Sequence, residues 1–332
     1  MPGEADVVLE TRTIPVPEGL SGERLDVVLS RLFGFSRAFA QSIIDDAGAL
    51  LDGSPGGKSE RVRAGAILEV TFEPKKAPTI VPIIVDSMAI VYDDDDVVVV
   101  DKPPGLAAHP APSWDGPSVL GALAGAGYRI STSGPPERQG IVHRLDVGTS
   151  GLMAVAKSEV AYSLLKRAFK AREVHKIYHA LVQGHPDPST GTIDAPIGRH
   201  PSSSWKFAVV AGGRDSITHY ETVEAFLGAT LLRVSLETGR THQIRVHMSA
   251  HRHPIVGDTL YGADPTLAER LGVSRQWLHA SELEFTHPVT GALVHVECGF
   301  PDDLNVALER LRIKDMLDAG VVLETFNGMG PI

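Results

Sequence analysis

Residues 138–158 read RQGIVHRLDVGTSGLMAVAKS, and the reading of this stretch decides the fold. Two short apolar runs, Ile141-Val142 and Leu152 to Ala156, have the length and composition of strands. Between them stand His143-Arg144, Asp146 and a Gly148-Thr149-Ser150-Gly151 turn. Charged residues gathered between strand-like runs mark a loop held by a sheet, where chemistry is commonly located. Asp146 is the residue to explain, because no second carboxylate, metal motif or cofactor motif lies beside it.

Working outward, the alternation continues. Val97 to Val100 is a buried-strand candidate ending at Lys102-Pro103-Pro104-Gly105. His175 to Val182 and Thr230 to Leu236 are strand-like, closed by Gly184 and by Glu237-Thr238-Gly239. Val160, Ala161, Leu164, Leu165, Ala168 and Phe169 fall on one helical stripe, and the opposite face is basic. Gln243 to His251 has helical spacing and stops before Pro254. Strands outnumber helices and several are spaced for antiparallel pairing, so the fold class is α+β.

Upstream, residues 16–75 read as a small separate module, with 1–15 as a tail and 76–89 as a linker. Leu25, Val28, Leu29 and Leu32 repeat at helical spacing. Ser36 is placed to cap a second helix, whose apolar face is Phe39, Ile43 and Ile44 and whose stop is Gly48. Short strands are expected at Leu50-Leu51 and Ile67 to Val70, with a turn at Asp52-Gly53.

A chain of 332 residues has room for two domains, and 43% hydrophobic with 22% charged residues places it among ordinary globular proteins. One cysteine, Cys298, excludes an internal disulfide framework and a cysteine-based zinc site, and suits a reducing compartment. MPGEADVVLETR lacks a basic-then-apolar leader pattern, and the longest aliphatic run is far too short for a bilayer. These features predict a cytoplasmic protein with no membrane association; a monomer is expected, though no feature of the sequence fixes the oligomeric state.

A net charge of −10 at first opposes a nucleic-acid partner. Its distribution matters more. Asp93 to Asp96 and Asp101 concentrate acids in one stretch, whereas Lys166, Arg167, Lys170, Arg172 and Lys176 face only Glu173. Arg233, Arg240, Arg245 and Arg252 recur later among histidines. A basic face on an acidic body is compatible with RNA.

Several familiar motifs fail on inspection. Gly53 to Ser59 has three residues, not four, before Gly-Lys-Ser, so it is a surface turn and no phosphate loop. Gly148-Thr149-Ser150-Gly151 is followed by Leu152 and is no nucleophile elbow. HRLD has the wrong order for a kinase catalytic loop, and no D-F-G follows. His247 and His251 have ligand spacing on a helix, with His242 and His253 nearby, but no carboxylate among them completes a metal set. No metal is expected.

Three segments keep their signal: His143 to Asp146, Lys176 to Val182, and Gly239 to His247. Together they resemble the signature segments of the RluA-type pseudouridine synthases, which isomerise uridine in structured RNA. The likeness extends to Val100 to Gly105, His253 to Asp258 and Leu278-His279-Ala280, and so covers most of residues 90–300. Residues 21–70 are similar to an S4 domain, an RNA-binding module.

The resemblance implies a catalytic domain over 90–326 built on a long mixed, mostly antiparallel sheet with flanking helices, and a cleft across that sheet. It implies that Asp146 is the catalytic aspartate, that Tyr178 faces the target base, and that Arg245 pairs with the aspartate. Arg144 is similar to the residue that enters the RNA stack when the uridine leaves. Lys102-Pro103 matches a mainly structural segment. RNA contacts are expected from Arg144, His143, Lys166, Arg167, Lys170, Arg172, Lys176, Arg240 and, in the small module, Arg37.

The implied chemistry suits these residue types. Exchanging the bond from ribose C1′ to uracil N1 for one to uracil C5 involves no net redox change and no phosphoryl transfer, so no cofactor is expected. A carboxylate can assist at C1′ as nucleophile or base, or add to the ring at C6. Uracil delocalises the charge it acquires on leaving, so the second carboxylate of a glycosidase is not required. The S4-plus-catalytic layout favours large-subunit ribosomal RNA, with transfer RNA as the alternative substrate. The rival reading is a non-catalytic RNA-binding or ribosome-assembly protein on the same scaffold.

Overall fold

Val97 to Val100 is apolar at four successive positions because it is buried on both faces. In the computed structural model, which describes residues 9–35, 37–73, 80–111 and 114–318, Val98 and Val100 join one apolar layer and Val97 and Val99 another. A strand sandwiched between two layers loses the usual alternation. The chain divides into two units at Ala77/Pro78.

In the first unit, β1 (Glu10–Pro15) is followed by α1 (Leu25–Phe33), α2 (Arg37–Asp45), β2 (Ala49–Leu51), β3 (Ser54–Pro55) and β4 (Ile67–Phe72). The sheet order is β1-β4-β2-β3. Leu25, Val28 and Leu29 of α1 meet Ala40, Ile43 and Ile44 of α2 over Leu68 and Val70, the faces their spacing predicts. Asp52 and Gly53, both at positive φ, make the turn between β2 and β3. The expected tail is corrected at its end: Glu10–Pro15 pairs in register with β4, so the unit begins before residue 16. Ser36, the expected cap, lies outside the described residues.

The second unit runs β5 (Ala89–Asp93), β6 (Val97–Lys102), α3 (Val119–Gly125), β7 (Ser150–Ala156), α4 (Glu159–Ala171), β8 (His175–Gln183), β9 (Thr190–Asp194), β10 (Ile197–His200), β11 (Ser203–Val209), β12 (Ile217–Phe226), β13 (Ala229–Leu236), α5 (Gln243–Ala250), α6 (Pro265–Leu271), β14 (Leu278–Thr286), β15 (Leu293–Glu297) and α7 (Asp302–Asp318). Eight strands follow the order β5-β6-β7-β14-β8-β13-β12-β9, and β15 pairs with β14 beyond a bulge at Ala280/Glu282. β10 and β11 form a separate hairpin. Only β7 and β14 run parallel in the large sheet, so the mixed, mostly antiparallel α+β expectation holds. Among the described residues, no single helix is long and apolar enough to cross a membrane.

Two local features position the site. At the parallel β7–β14 crossing, Gly151 has φ 111°, and a Cβ there would lie 2.2 Å from the Ala280 carbonyl oxygen; only glycine fits. Part of the expected linker belongs to the second unit. Ile80, Val85 and Met88 pack on its core, and Ile83 N–H bonds the Gly121 carbonyl. A Cβ on Gly125 of α3 would meet the Ile83 carbonyl oxygen at 2.3 Å, so the helix accepts this strand-less segment through its glycines.

Candidate active site

The loop between Ile141 and β7 is not a strand pair but a pinned excursion. Ile141 makes one isolated bridge to Val155, and the chain then turns out to Asp146. Val147, next to Asp146, is held by two donors on its carbonyl: Gly105 N–H at 2.9 Å and the Lys102 ammonium at 3.2 Å. Lys102 also donates to the carbonyls of Pro103 and Leu106 at 2.9 and 3.0 Å. Burial pushes Lys102 down to about 7, against the pull of Asp146; three carbonyl acceptors match the three protons of an ammonium, so we assign the charged form. Arg275 donates to the Gly148 carbonyl, and Gln276 to the Thr149 hydroxyl. The peptide after Asp146 is therefore fixed from below and from one side.

Asp146 does not cap its own turn. Its backbone carbonyl accepts from Thr149 N–H, while its carboxylate faces a cleft of about 940 Å³. Arg245, on α5, donates from Nη1 to Asp146 Oδ2 at 3.1 Å. Arg245 also gives Nε and Nη2 to Asp258, at 2.6 and 2.9 Å. Burial opposes the guanidinium charge, but the bonds and charges of Asp258 and Asp146 outweigh it and raise Arg245 above its ordinary value. Tyr178, on β8, is buried beside them; burial first, and then Asp146, pushes its hydroxyl upward, so it is a neutral phenol at physiological pH.

Every expected site residue except Arg37 lines this cleft. Lys166, Arg167 and Lys170 are exposed on the outer face of α4, whose inner face buries Ala161 and Leu165. Arg144 is exposed at the mouth. Arg172 is paired with Glu237 at 3.0 Å, and Arg240 donates to the Asp215 carbonyl. Lys176 lies deeper and is lowered to about 8 by burial.

His143 corrects an expectation. Its ring stacks on Phe169 with centroids 4.6 Å apart, and Nε2 accepts Ala154 N–H at 2.9 Å. Burial pushes it to about 3, so it is a neutral packing group and not a cationic RNA contact. Arg37 sits in the first unit, donating to the buried Asp26 together with Arg24 and Gln41.

The histidines of 242–253 do not converge on a metal. His247 bonds Thr218 through Nδ1 and the Ala195 carbonyl through Nε2, so both ring nitrogens are committed. Asp94, Asp96 and His287 approach one another closely enough for a cation. However, His287 Nδ1 accepts the Val289 and Thr290 N–H groups, which leaves the proton on Nε2, 2.8 Å from Asp94. That nitrogen carries the proton and offers no lone pair to a cation, although it makes no hydrogen bond to a described residue.

An RNA pseudouridylate synthase profile matches residues 96–250. An "Uncharacterized RNA pseudouridine synthase" of Mycobacterium bovis is 59% identical, covering 91% of this chain and 98% of its own. The "Ribosomal large subunit pseudouridine synthase D" of Xanthomonas campestris is 41% identical, covering 91% and 92%. The chain belongs to the RNA pseudouridine synthase family.

The fold agrees: the solved structure of Human RNA Pseudouridylate Synthase Domain Containing 1 matches with a TM-score of 0.55 and 29% identity, over 68% of this chain and 89% of that one. As a pseudouridine synthase the protein is an isomerase acting on RNA. Three residues around Asp146 escaped the sequence reading. His242 places Nε2 3.8 Å from Asp146 Oδ1, and its Nδ1 meets the Tyr261 hydroxyl at 2.7 Å. Tyr261 lays its ring over Arg245, with the guanidinium carbon 4.9 Å from its centroid. Asp258 stood inside a quoted segment but carried no role. The signal available for it was the lone charged residue in the stretch Pro254 to Leu260.

Proposed function

We propose that this pseudouridine synthase modifies specific uridines of large-subunit ribosomal RNA in the cytoplasm, with Asp146 as the reacting carboxylate. The observation that carries the mechanism is an Asp146 carboxylate open to a basic cleft and tied to a buried arginine through one oxygen only. The substrate class is supported by the Xanthomonas relative and by a Pseudomonas aeruginosa protein of the same name, 41% identical over 96% of its length.

In this reading the uridine leaves its stack, at a cost of a few kcal/mol, and Arg144 fills the gap. Tyr178 offers an aromatic face to the base and, as a neutral phenol, a hydrogen-bond donor. Asp146 acts at C1′ or C6 while N1–C1′ breaks, the base turns, and C5 joins C1′. The proton lost from C5 balances the one gained at N1. Arg245 keeps the carboxylate ionised and oriented. Lys166, Arg167, Lys170 and Lys176 meet phosphates, and the first unit acts as an S4-like RNA module.

The test is to map pseudouridines in total RNA from cells with and without the protein, and with Asp146→Asn. Loss of ribosomal positions in both altered strains, with transfer RNA unchanged, is expected. A variant that still forms pseudouridine at the parental rate overturns the assignment of Asp146. Loss confined to transfer RNA overturns the substrate.

A further inference from the structure

The donors of Arg245 are divided unequally. Two parallel N–H···O bonds are the preferred meeting of a guanidinium with a carboxylate. Here that mode is taken by Asp258, whose side chain is 1% exposed, and not by Asp146, at 16%. Asp146 receives a single bond on Oδ2. Its Oδ1 has His242 Nε2 at 3.8 Å, beyond hydrogen-bond distance. The Tyr261 ring lies on the guanidinium and holds the plane in which its donors fan out. Asp258 and Tyr261 come from one short segment, a 3-10 turn in which Tyr261 N–H bonds the Asp258 carbonyl.

We propose that Asp258 and Tyr261 are positioning residues: they confine Arg245 to one hydrogen bond with Asp146 and so keep Oδ1 open for the substrate. The inference rests on the reading of Asp146 as the reacting carboxylate. Without Asp258, the guanidinium is free to turn its paired donors onto Asp146 and occupy both oxygens. Without the Tyr261 ring, the same rotation is released. Arg245 thus serves Asp146 only because a second carboxylate restrains it.

The experiment measures tritium release from C5-tritiated total RNA of cells lacking the protein, with RNA binding measured in parallel. Asp146→Asn should be inactive. Asp258→Asn should lower kcat about tenfold to a hundredfold, the range for a misplaced reacting group, with KM for RNA within about threefold. In an Arg245→Lys background, whose ammonium cannot form a paired fork, Asp258→Asn should cost less than about threefold more. Tyr261→Leu should resemble Asp258→Asn, and Tyr261→Phe, which keeps the ring, should stay within about threefold of the parent; this pair decides the matter if Asp258→Asn does not fold. An inactive Asp146→Asn beside a fully active Asp258→Asn, or a loss undiminished in the Arg245→Lys background, overturns the positioning role alone. An active Asp146→Asn, or a parent protein releasing no tritium, overturns the reading beneath it.

Discussion

Lys176 gives a quantitative test of the cleft as a phosphate site. It lies near the start of β8 with its ammonium 5.8 Å from the Phe169 ring centre, and burial alone lowers it to about 8. Among the described residues it has no ion-pair partner, and its neighbour His143 is neutral. An RNA phosphate would supply the missing counter-charge. Bound phosphate favours the ammonium, so affinity should be full below pH 8 and fall as pH rises through it. With a value of about 8, the charged fraction drops from about 0.9 at pH 7 to about 0.25 at pH 8.5. At fixed salt, RNA affinity should therefore weaken about three- to fourfold across that interval, if the neutral amine contributes nothing. His242 is pushed further down by burial and remains neutral throughout. Lys102 is sealed beneath the Asp146 loop and common to both proteins compared. Filter binding with an Asp146→Asn background prevents turnover. Lys176→Gln should bind more weakly at pH 7, lose the pH response, and reduce the salt slope by about 0.7 to 0.9. A Lys176→Gln protein that keeps the parental pH response and slope would refute the phosphate contact.

Other outcomes follow from the same geometry. Arg245→Met leaves Asp258 buried without its partner and should cost about 3–5 kcal/mol; adding Asp258→Asn should recover part of that loss. Urea unfolding followed by tryptophan fluorescence reads this cleanly, since Trp114, Trp205 and Trp277 all lie in the second unit, and strictly additive losses would contradict the pairing. Gly151→Ala places a Cβ against Ala280 at a φ of 111°, and should destabilise that unit by about 3 kcal/mol or more in the same assay. In the first unit, Asp26 is held well below the ordinary carboxylate range, chiefly by the Arg24 bond. Its stabilising contribution is present above about pH 4 and lost as pH falls below that. Protection factors of the α1 and α2 amides should fall there in the parent, and Asp26→Asn should show reduced protection already at pH 7.

Much of this architecture is legible from local chemistry. Val97 to Val100 announces a strand buried on both faces, and the 160–169 stripe gives both the buried and the basic side of α4. Those signals come from short-range periodicity, which the sequence carries directly. The neighbours of Asp146 were harder to find. Arg245 and Asp146 are 99 residues apart and meet only through α5, so their pairing was expected from the family resemblance and not from any local pattern. Asp258 and Tyr261 act from a single irregular turn with no period to betray it. His143 was misjudged for a related reason: beside Arg144 it reads as part of a basic pair, whereas the loop turns it inward onto Phe169 and its neighbour outward. The boundary at 89 failed because residues 80–88 dock without forming a strand, through glycines on α3 that look unremarkable in sequence.

The acidic net charge shows the same limit on reading formal charge alone. The Asp93 to Asp96 run, which seemed to oppose an RNA partner, lies at the surface but is engaged in local structure. Asp94 accepts the N–H groups of Asp96 and Val97 through Oδ1, and the Tyr92 hydroxyl through Oδ2. Asp93 pairs with Lys157 at 2.7 Å, and Asp96 accepts from the Ser158 hydroxyl that caps α4. These carboxylates fix the β5–β6 turn to the start of the helix that carries Lys166, Arg167 and Lys170. Asp93 is matched by Lys157, while Asp94 and Asp96 spend their oxygens on backbone and hydroxyl donors of the same turn and helix start. Among the described residues, Lys166, Arg167 and Lys170 of α4 have no ion-pair partner, and Arg172 just past its end pairs with Glu237. Lys166, Arg167 and Lys170 thus line the cleft a phosphate would enter, while Asp93, Asp94 and Asp96 tie the β5–β6 turn to the start of the helix that carries them.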